Sequence, residues 1–221
     1  MFKTLTKAAL ASVAAVAFAG AAQAVSITNG DFEAGAYVAG PDGFKTLSAG
    51  NTDMTGWTVK GNGVDWVGTY WQQLPGSSKS VDLHALNVGS IEQMITGLTP
   101  TLTYLISFYV APNTALNKLD KSATLAFGDD EVTVTYDTTG ANALNSMGWE
   151  QRSYYFVAKD SAQLLKLTGS VGPGDSNATG LAVDNFSISA APDAATWLSM
   201  ILGFGAAGTM LRRQRGKLAT A

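Results

Sequence analysis

The sequence predicts an all-β body, a two-sheet sandwich of jelly-roll type, preceded by an export signal and followed by one transmembrane helix. Three observations carry that reading. Between residues 25 and 190 the apolar residues alternate with a period of two, so each segment turns one face inward. The alternating runs are short, and clusters of Gly, Pro, Asn and Asp between them supply the backbone angles that chain reversals need. No stretch of this body has a convincing helical pattern, and no internal repeat divides it, so a single domain is expected.

Taken in order, the chain opens with Lys3 and Lys7 ahead of the Ala/Val-rich run Ala8 to Ala19, closed by Ala22-Gln23-Ala24. That is a secretory signal peptide over 1–24, with cleavage leaving Val25 first. Strand patterns follow at Gly56 to Val59, Val64 to Val67, Ser80 to Leu83, Ser90 to Ile95, Tyr104 to Val110 and Ala123 to Phe127. Four more lie at Val132 to Tyr136, Gln151 to Val157, Gln163 to Thr168 and Leu181 to Ser189. Stretches such as AGPDG, LPGSSKS, FGDDE and SVGPGDSNATG make the reversals. In 191–221, Ala194 to Leu211 carry no charge over 18 residues. As a helix they would reach roughly 27 Å, close to the ~30 Å hydrocarbon thickness of a bilayer. Trp197 sits where an interfacial indole belongs, and Arg212, Arg213, Arg215 and Lys217 follow at once, which keeps this end cytoplasmic and the body outside.

Without the two ends, the body holds eight basic against 16 acidic residues, a net charge of −8. Such a surface favours solubility and excludes nucleic acid and anionic lipid headgroups as partners. The chain has no cysteine, so the body is held by its core, not by disulfides. A domain of this length buries about 70% of its unfolded surface, which makes such a core feasible.

The tail resembles the PEP-CTERM sorting signals of Gram-negative bacteria, in the variant whose motif reads Pro-Glu-Pro-x-x-Trp-Ala. The matching stretch runs from Pro192 and Asp193 through Trp197 and Leu198 and on into MILGFGAAGTMLRRQR. Asp193 stands for Glu, Ala194 for the second Pro and Leu198 for Ala. The resemblance implies an exosortase-type sorting enzyme as partner, anchoring in the inner membrane before processing, and delivery to the cell surface of an exopolysaccharide-making cell. A second resemblance spans the body. ITNGDFEAG, TGWTV, VDWVGTYWQ, the long stretch from SVDLHALNVG to LISFYVAPN, and GLAVDNFSIS look like the exported choice-of-anchor C domains, related to a plant cell-wall family of unknown function. It implies a galactose-binding-like jelly roll.

Two constellations carry candidate chemistry. Asp31, Glu33 and Asp184 are hard oxygen ligands near the two ends of the body. In related jelly rolls the first and last strands lie together and hold a structural Ca2+, an ion that takes six to eight oxygens. The competing reading makes Asn29 and Asp31 turn caps and sets Glu33 and Asp184 on solvated strand ends. The second constellation is DWVGTYWQ, where Trp66, Tyr70 and Trp71 offer rings for the C–H faces of a sugar, and Asp65, Gln72 and Gln73 offer acceptors for its hydroxyls. Here the competing reading places Trp66 and one neighbour in the core. Catalysis has less support. His84 is the only histidine, expected half-exposed on a strand, and there is no cysteine and no GxSxG elbow. Glycoside hydrolysis needs two carboxylates, for which Glu33, Glu92, Glu131 and Glu150 are available. The expectation is therefore an exported, non-enzymatic surface or matrix protein with weak polysaccharide binding. The alternatives are a structural or adhesive protein without a sugar site and a polysaccharide-cleaving enzyme.

Overall fold

Alternation builds the molecule strand by strand. The structure is a computed structural model that describes residues 25–191. The expected signal peptide, 1–24, and the sorting residues Pro192, Asp193, Trp197, Arg212, Arg213 and Arg215 lie outside the described residues. The strands are β1 (Phe44–Leu47), β2 (Thr58–Gly61), β3 (Val64–Val67), β4 (Ser80–Asp82), β5 (Gly89–Thr96), β6 (Thr103–Pro112), β7 (Lys121–Phe127), β8 (Asp130–Tyr136), β9 (Glu150–Val157), β10 (Ala162–Ser170) and β11 (Leu181–Ala190). They form two antiparallel sheets, one in the order β1-β3-β4-β11-β6-β9 and the other β2-β5-β10-β7-β8.

The inner faces meet in one hydrophobic core. On β6, Tyr104, Ile106, Phe108 and Val110 point into it, as the alternation requires; Leu125 and Phe127 of β7 and Leu165 and Leu167 of β10 come from the other sheet. Fully burying side chains of this size contributes about 1.5–3 kcal/mol each. The expected two-sheet sandwich is observed, with one strand the alternation does not reveal. β1 is only four residues long, FKTL, and its burial does not alternate.

The segment 29–35 joins the start of the body to its last strand. Gly30 O accepts from Phe186 N at 2.8 Å, and a Cβ on Gly30 would lie 2.1 Å from the Phe186 carbonyl oxygen, so only glycine allows this approach. The β11 ladder shifts register between Asp184 and Ser187, and Asn185 takes a φ of 53°. That irregularity turns Phe186 inward, where it stacks on Phe108 with centroids 4.5 Å apart.

Candidate functional site

The outer face of the six-stranded sheet carries the site, because β1, β3 and β4 put polar residues there in register. Thr46 pairs with Asp65, and Asp65 with Asp82. On either side of Asp82 the face differs: Ala182 of β11 pairs with it, and Ala111 of β6 pairs with Ala182, so small side chains leave room above the sheet. Two positions along, on the same face, Phe44 pairs with Val67. The connection from β3 to β4 folds back over this face and seats Trp71 with Val67, Ala111, Met147 and Ala182 in a second, smaller hydrophobic cluster. The Trp71 indole N–H donates to Ser80 Oγ at 2.9 Å, which donates onward to Gln73 Oε1 at 2.7 Å.

The result is a cavity of about 240 Å³. Phe44, Tyr70 and Trp71 supply its aromatic lining, and Thr46, Asp65, Asp82, Asn113 and Thr179 its polar lining, together with the exposed Leu86 and Leu116. The rings run in sequence: Phe44 meets Tyr70 edge-on at 5.3 Å, and Tyr70 meets Trp71 at 5.9 Å. Asp82 is 1% exposed. Its Oδ2 accepts from Asn113 Nδ2 at 2.7 Å, and its Oδ1 from His84 N at 3.0 Å and Gly180 N at 3.1 Å. Burial nevertheless pushes its carboxyl up to about 7, and the nearby Asp65 charge adds to that. Asp65 is also raised by burial, against a hydrogen bond from Thr46 Oγ1 at 2.6 Å.

The structure brings Asp65, Tyr70 and Trp71 to one cavity and removes two expected partners. Trp66 is fully buried on the opposite face of β3, where its indole N–H donates to Phe32 O at 3.0 Å. Strand alternation dictates this: with Asp65 and Val67 outward, Trp66 must face the core. Gln72 is a loop tie. Its Oε1 accepts from Met147 N at 3.0 Å and its backbone oxygen from the Trp149 indole at 2.9 Å, beside a separate cavity of about 500 Å³. Trp71 is only 5% exposed, so it is a wall and not an open platform. Sequence reasoning missed Phe44, Thr46, Asp82 and Asn113. The signal for Asp82 was the alternation in SVD of β4; the others depend on pairings and loops distant in sequence.

His84, expected half-exposed, is fully buried. Glycines make its space: a Cβ on Gly169 would lie 2.6 Å from the ring and one on Gly180 2.8 Å. Burial holds the imidazole down at about 4, hence neutral, against a smaller opposing influence from the Asn177 backbone, and neither ring nitrogen makes a well-aligned hydrogen bond among the described residues. Beside it, Lys121 Nζ reaches Asp175 Oδ1 at 2.6 Å and Thr179 Oγ1 at 3.1 Å, a buried ion pair behind the cavity wall.

Of the three carboxylates expected to hold calcium, Glu33 is engaged by neighbours, Asp31 is exposed, and Asp184 keeps one buried oxygen, Oδ2, with no hydrogen-bond partner among the described residues. Asp31 is exposed, its Oδ1 3.4 Å from Glu33 N. Glu33 Oε1 accepts from Ser77 Oγ, Ser78 N and Lys79 N, and Oε2 from Ser78 Oγ and, at 2.9 Å, the Lys79 ammonium. Burial alone would raise Glu33, but these bonds together hold it down at about 2. Asp184 is fully buried, and burial pushes it up to about 7. No group of three or more His, Cys, Asp or Glu able to hold a metal occurs among the described residues. With Lys79 serving as its cation, Glu33 as placed is not free to ligate Ca2+, whereas Asp184 Oδ2 remains unpartnered among the described residues. The expected melting temperature is the same in calcium as in EDTA; a rise in calcium would show that Lys79 gives way to the metal. Nor do the glutamates form a hydrolytic pair at the cavity: none of Glu33, Glu92, Glu131 and Glu150 lines it, and Glu92 and Glu150 are salt-bridged to Lys60 and Arg152.

Among known proteins, Halomucin of Haloquadratum walsbyi is 32% identical over 180 residues, covering 80% of this chain; the chain spans only 2% of that protein's length. Among solved structures, a family 35 carbohydrate binding module from Clostridium thermocellum is similar with a TM-score of 0.43 at 14% identity, over 66% of this chain and 99% of that one. TmCBM61, solved in complex with beta-1,4-galactotriose, has a TM-score of 0.41 at 14% identity, over 74% of this chain and 97% of that one. Residues 25–189 match the profile of the family described as protein of unknown function (DUF642), and the chain belongs to that family.

Proposed function

We propose that this protein is a non-enzymatic carbohydrate-binding module on a galactose-binding-like jelly roll, acting at the cell surface or in an exopolysaccharide matrix. The observation that carries this reading is the outer-face cavity, lined by three aromatic rings together with hydroxyl, amide and carboxylate groups. Apolar walls with a few placed polar groups are what a sugar ring needs, C–H faces on one side and hydroxyls on the other. A cavity of this size suits a single sugar ring, which accords with weak binding. The arrangement is poor for hydrolysis. Asp82 is held by three donors and is all but inaccessible, so it is not placed to deliver a proton to a leaving group.

Export rests on the termini: a signal peptide over 1–24, and a tail in which Pro192, Asp193 and Trp197 precede an apolar span and Arg212, Arg213 and Arg215. In this reading the chain is held in the inner membrane until an exosortase-type enzyme processes it. Intact mass of the protein recovered from the cell surface or medium tests both ends together; a product retaining residues 1–24 and the tail overturns the address.

Binding is tested with the full chain on a glycan array. Tyr70→Ala is expected to weaken binding about tenfold or more, the scale of an aromatic anchor, with the melting temperature little changed because Tyr70 is only half-buried. No reducing ends are expected from any bound polysaccharide. Absence of binding to every glycan favours a structural or adhesive protein instead, and reducing-end release favours an enzyme.

A further inference from the structure

The cavity's charge is one-sided. Asp65 and Asp82 reach it from adjacent strands, and cross-strand neighbours on one face stand only about 4.5–5.5 Å apart at Cβ. Asp65 Oδ1 is held by Thr46, while its Oδ2 has no hydrogen-bond donor among the described residues. Among the described residues, no Lys, Arg or His lines the cavity. Lys121 is spent on Asp175, Asn117 and Thr179 behind the wall, and His84 is buried beside it as the neutral ring. Asp42 adds a third carboxylate whose field reaches Tyr70.

With Asp82 pushed up to about 7, the charge facing the cavity in mild acid is that of Asp65; a neutral sugar would leave it uncompensated, and a uronic acid would be repelled by it. An ammonium group suits both the aromatic and the acidic lining of the cavity. It donates to the free oxygen of Asp65 and is attracted by the faces of Phe44 and Tyr70, an effect worth about 0.5–2 kcal/mol per cation–π contact. The acidic body, with a net charge of −8 over 25–191, draws cations towards the surface in the first place.

We propose that the cavity takes a sugar residue bearing a protonated amine, a hexosamine without its acetyl group, in preference to a neutral or acidic one. This rests on the carbohydrate reading above and sharpens it to a substrate class. The test is calorimetric titration of the full chain with the glucosamine disaccharide and with its N-acetylated counterpart, in moderate salt and at a mildly acidic pH. Two variants remove one negative charge each: Asp65→Asn inside the cavity and Asp129→Asn outside it, Asp129 having its side chain 92% exposed.

The amine disaccharide is expected to bind about tenfold tighter than the acetylated one, a difference of about 1.4 kcal/mol. Asp65→Asn should bring that ratio close to one, and Asp129→Asn should leave it as it is. Equal affinity of the wild type for the two disaccharides overturns the amine inference and leaves carbohydrate binding standing. Equal losses in the two variants also overturn it, since bulk attraction then explains the preference. Failure of the wild type to bind either disaccharide or any arrayed glycan overturns both readings. The wild-type ratio needs no variant, so it decides the matter even where Asp65→Asn does not fold.

Discussion

Replacing Lys121 with methionine is expected to cost about 3–5 kcal/mol of stability, because it strands a buried carboxylate. The side chains of Lys121 and Asp175 are each 1% exposed. The ammonium donates to Asp175 Oδ1 at 2.6 Å, Asn117 Oδ1 at 3.1 Å and Thr179 Oγ1 at 3.1 Å, three donors for three acceptors. Asp175 Oδ2 has no partner, and Oδ1 accepts from Ser176 N at 2.7 Å as well as from the ammonium, which is the only cation at the pair among the described residues. Against the upward push of burial, bonds from Lys121, then Asn117 and Ser176, keep Asp175 below the usual carboxylate range. For a domain of this size the loss corresponds to a melting temperature lower by about 6–20 °C. The pair joins the start of β7 to the connection before β11, which also carries Thr179 of the cavity wall, so the variant should bind sugar less well even below its melting point. The double variant Lys121→Met/Asp175→Leu removes both charges and is expected to lie closer to the wild type than either single change. A cost below about 1 kcal/mol for Lys121→Met, the range of an exposed pair, would show that water reaches this site.

How much of this was legible in the sequence follows from where the information lies. Strand alternation is local, so ten strands and the inward set of β6 can be read from residue types alone, and with Asp65 set outward the same alternation puts Trp66 in the core. The crowding of aromatics in DWVGTYWQ pointed to the cavity region, but crowding in sequence does not say which ring faces which side, and Trp66 faces away. Phe44 and Thr46 sit on β1, a strand too short to show a period. Asp82 becomes a site residue only through the antiparallel register of β4 with β3, a pairing across a 12-residue connection from 68 to 79. The burial of His84 depends on two glycines, one on β10 and one just before β11, whose missing side chains leave the space the ring fills. Glu33 looked like a metal ligand because its charge is visible in sequence; that Lys79 answers that charge is visible only in three dimensions.

The protein is also expected to be more stable at about pH 5 than at about pH 7, and Asp82→Asn is expected to remove that preference. Asp82 and Asp184 each sit at about 7 in the folded chain against an ordinary 3.8. A raised acid favours the fold while protonated, so the contribution of both is complete below 3.8 and is lost as the pH rises through 7. His84 works the other way. Its folded value of about 4 lies below its ordinary 6.5, so its contribution is present above 6.5 and is lost as the pH falls through 4. Between these limits two groups gain from acid and one loses, leaving a net of about one proton, or on the order of 1.4 kcal/mol per pH unit. Glu33, held near 2, does not titrate in this window in the folded chain and contributes its loss only in stronger acid, from 4.5 downward. In Asp82→Asn the amide oxygen can still accept from His84 N and Gly180 N, while its NH2 group faces the Asn113 amide, so the variant is somewhat weaker at every pH. Its remaining pair, Asp184 and His84, oppose each other, and the curve of stability against pH should flatten. Urea unfolding at a series of pH values measures both effects. A wild-type curve that rises from about pH 5 to about pH 7 would mean that Asp82 and Asp184 are ionised in the folded protein, and that a cation answers their charge.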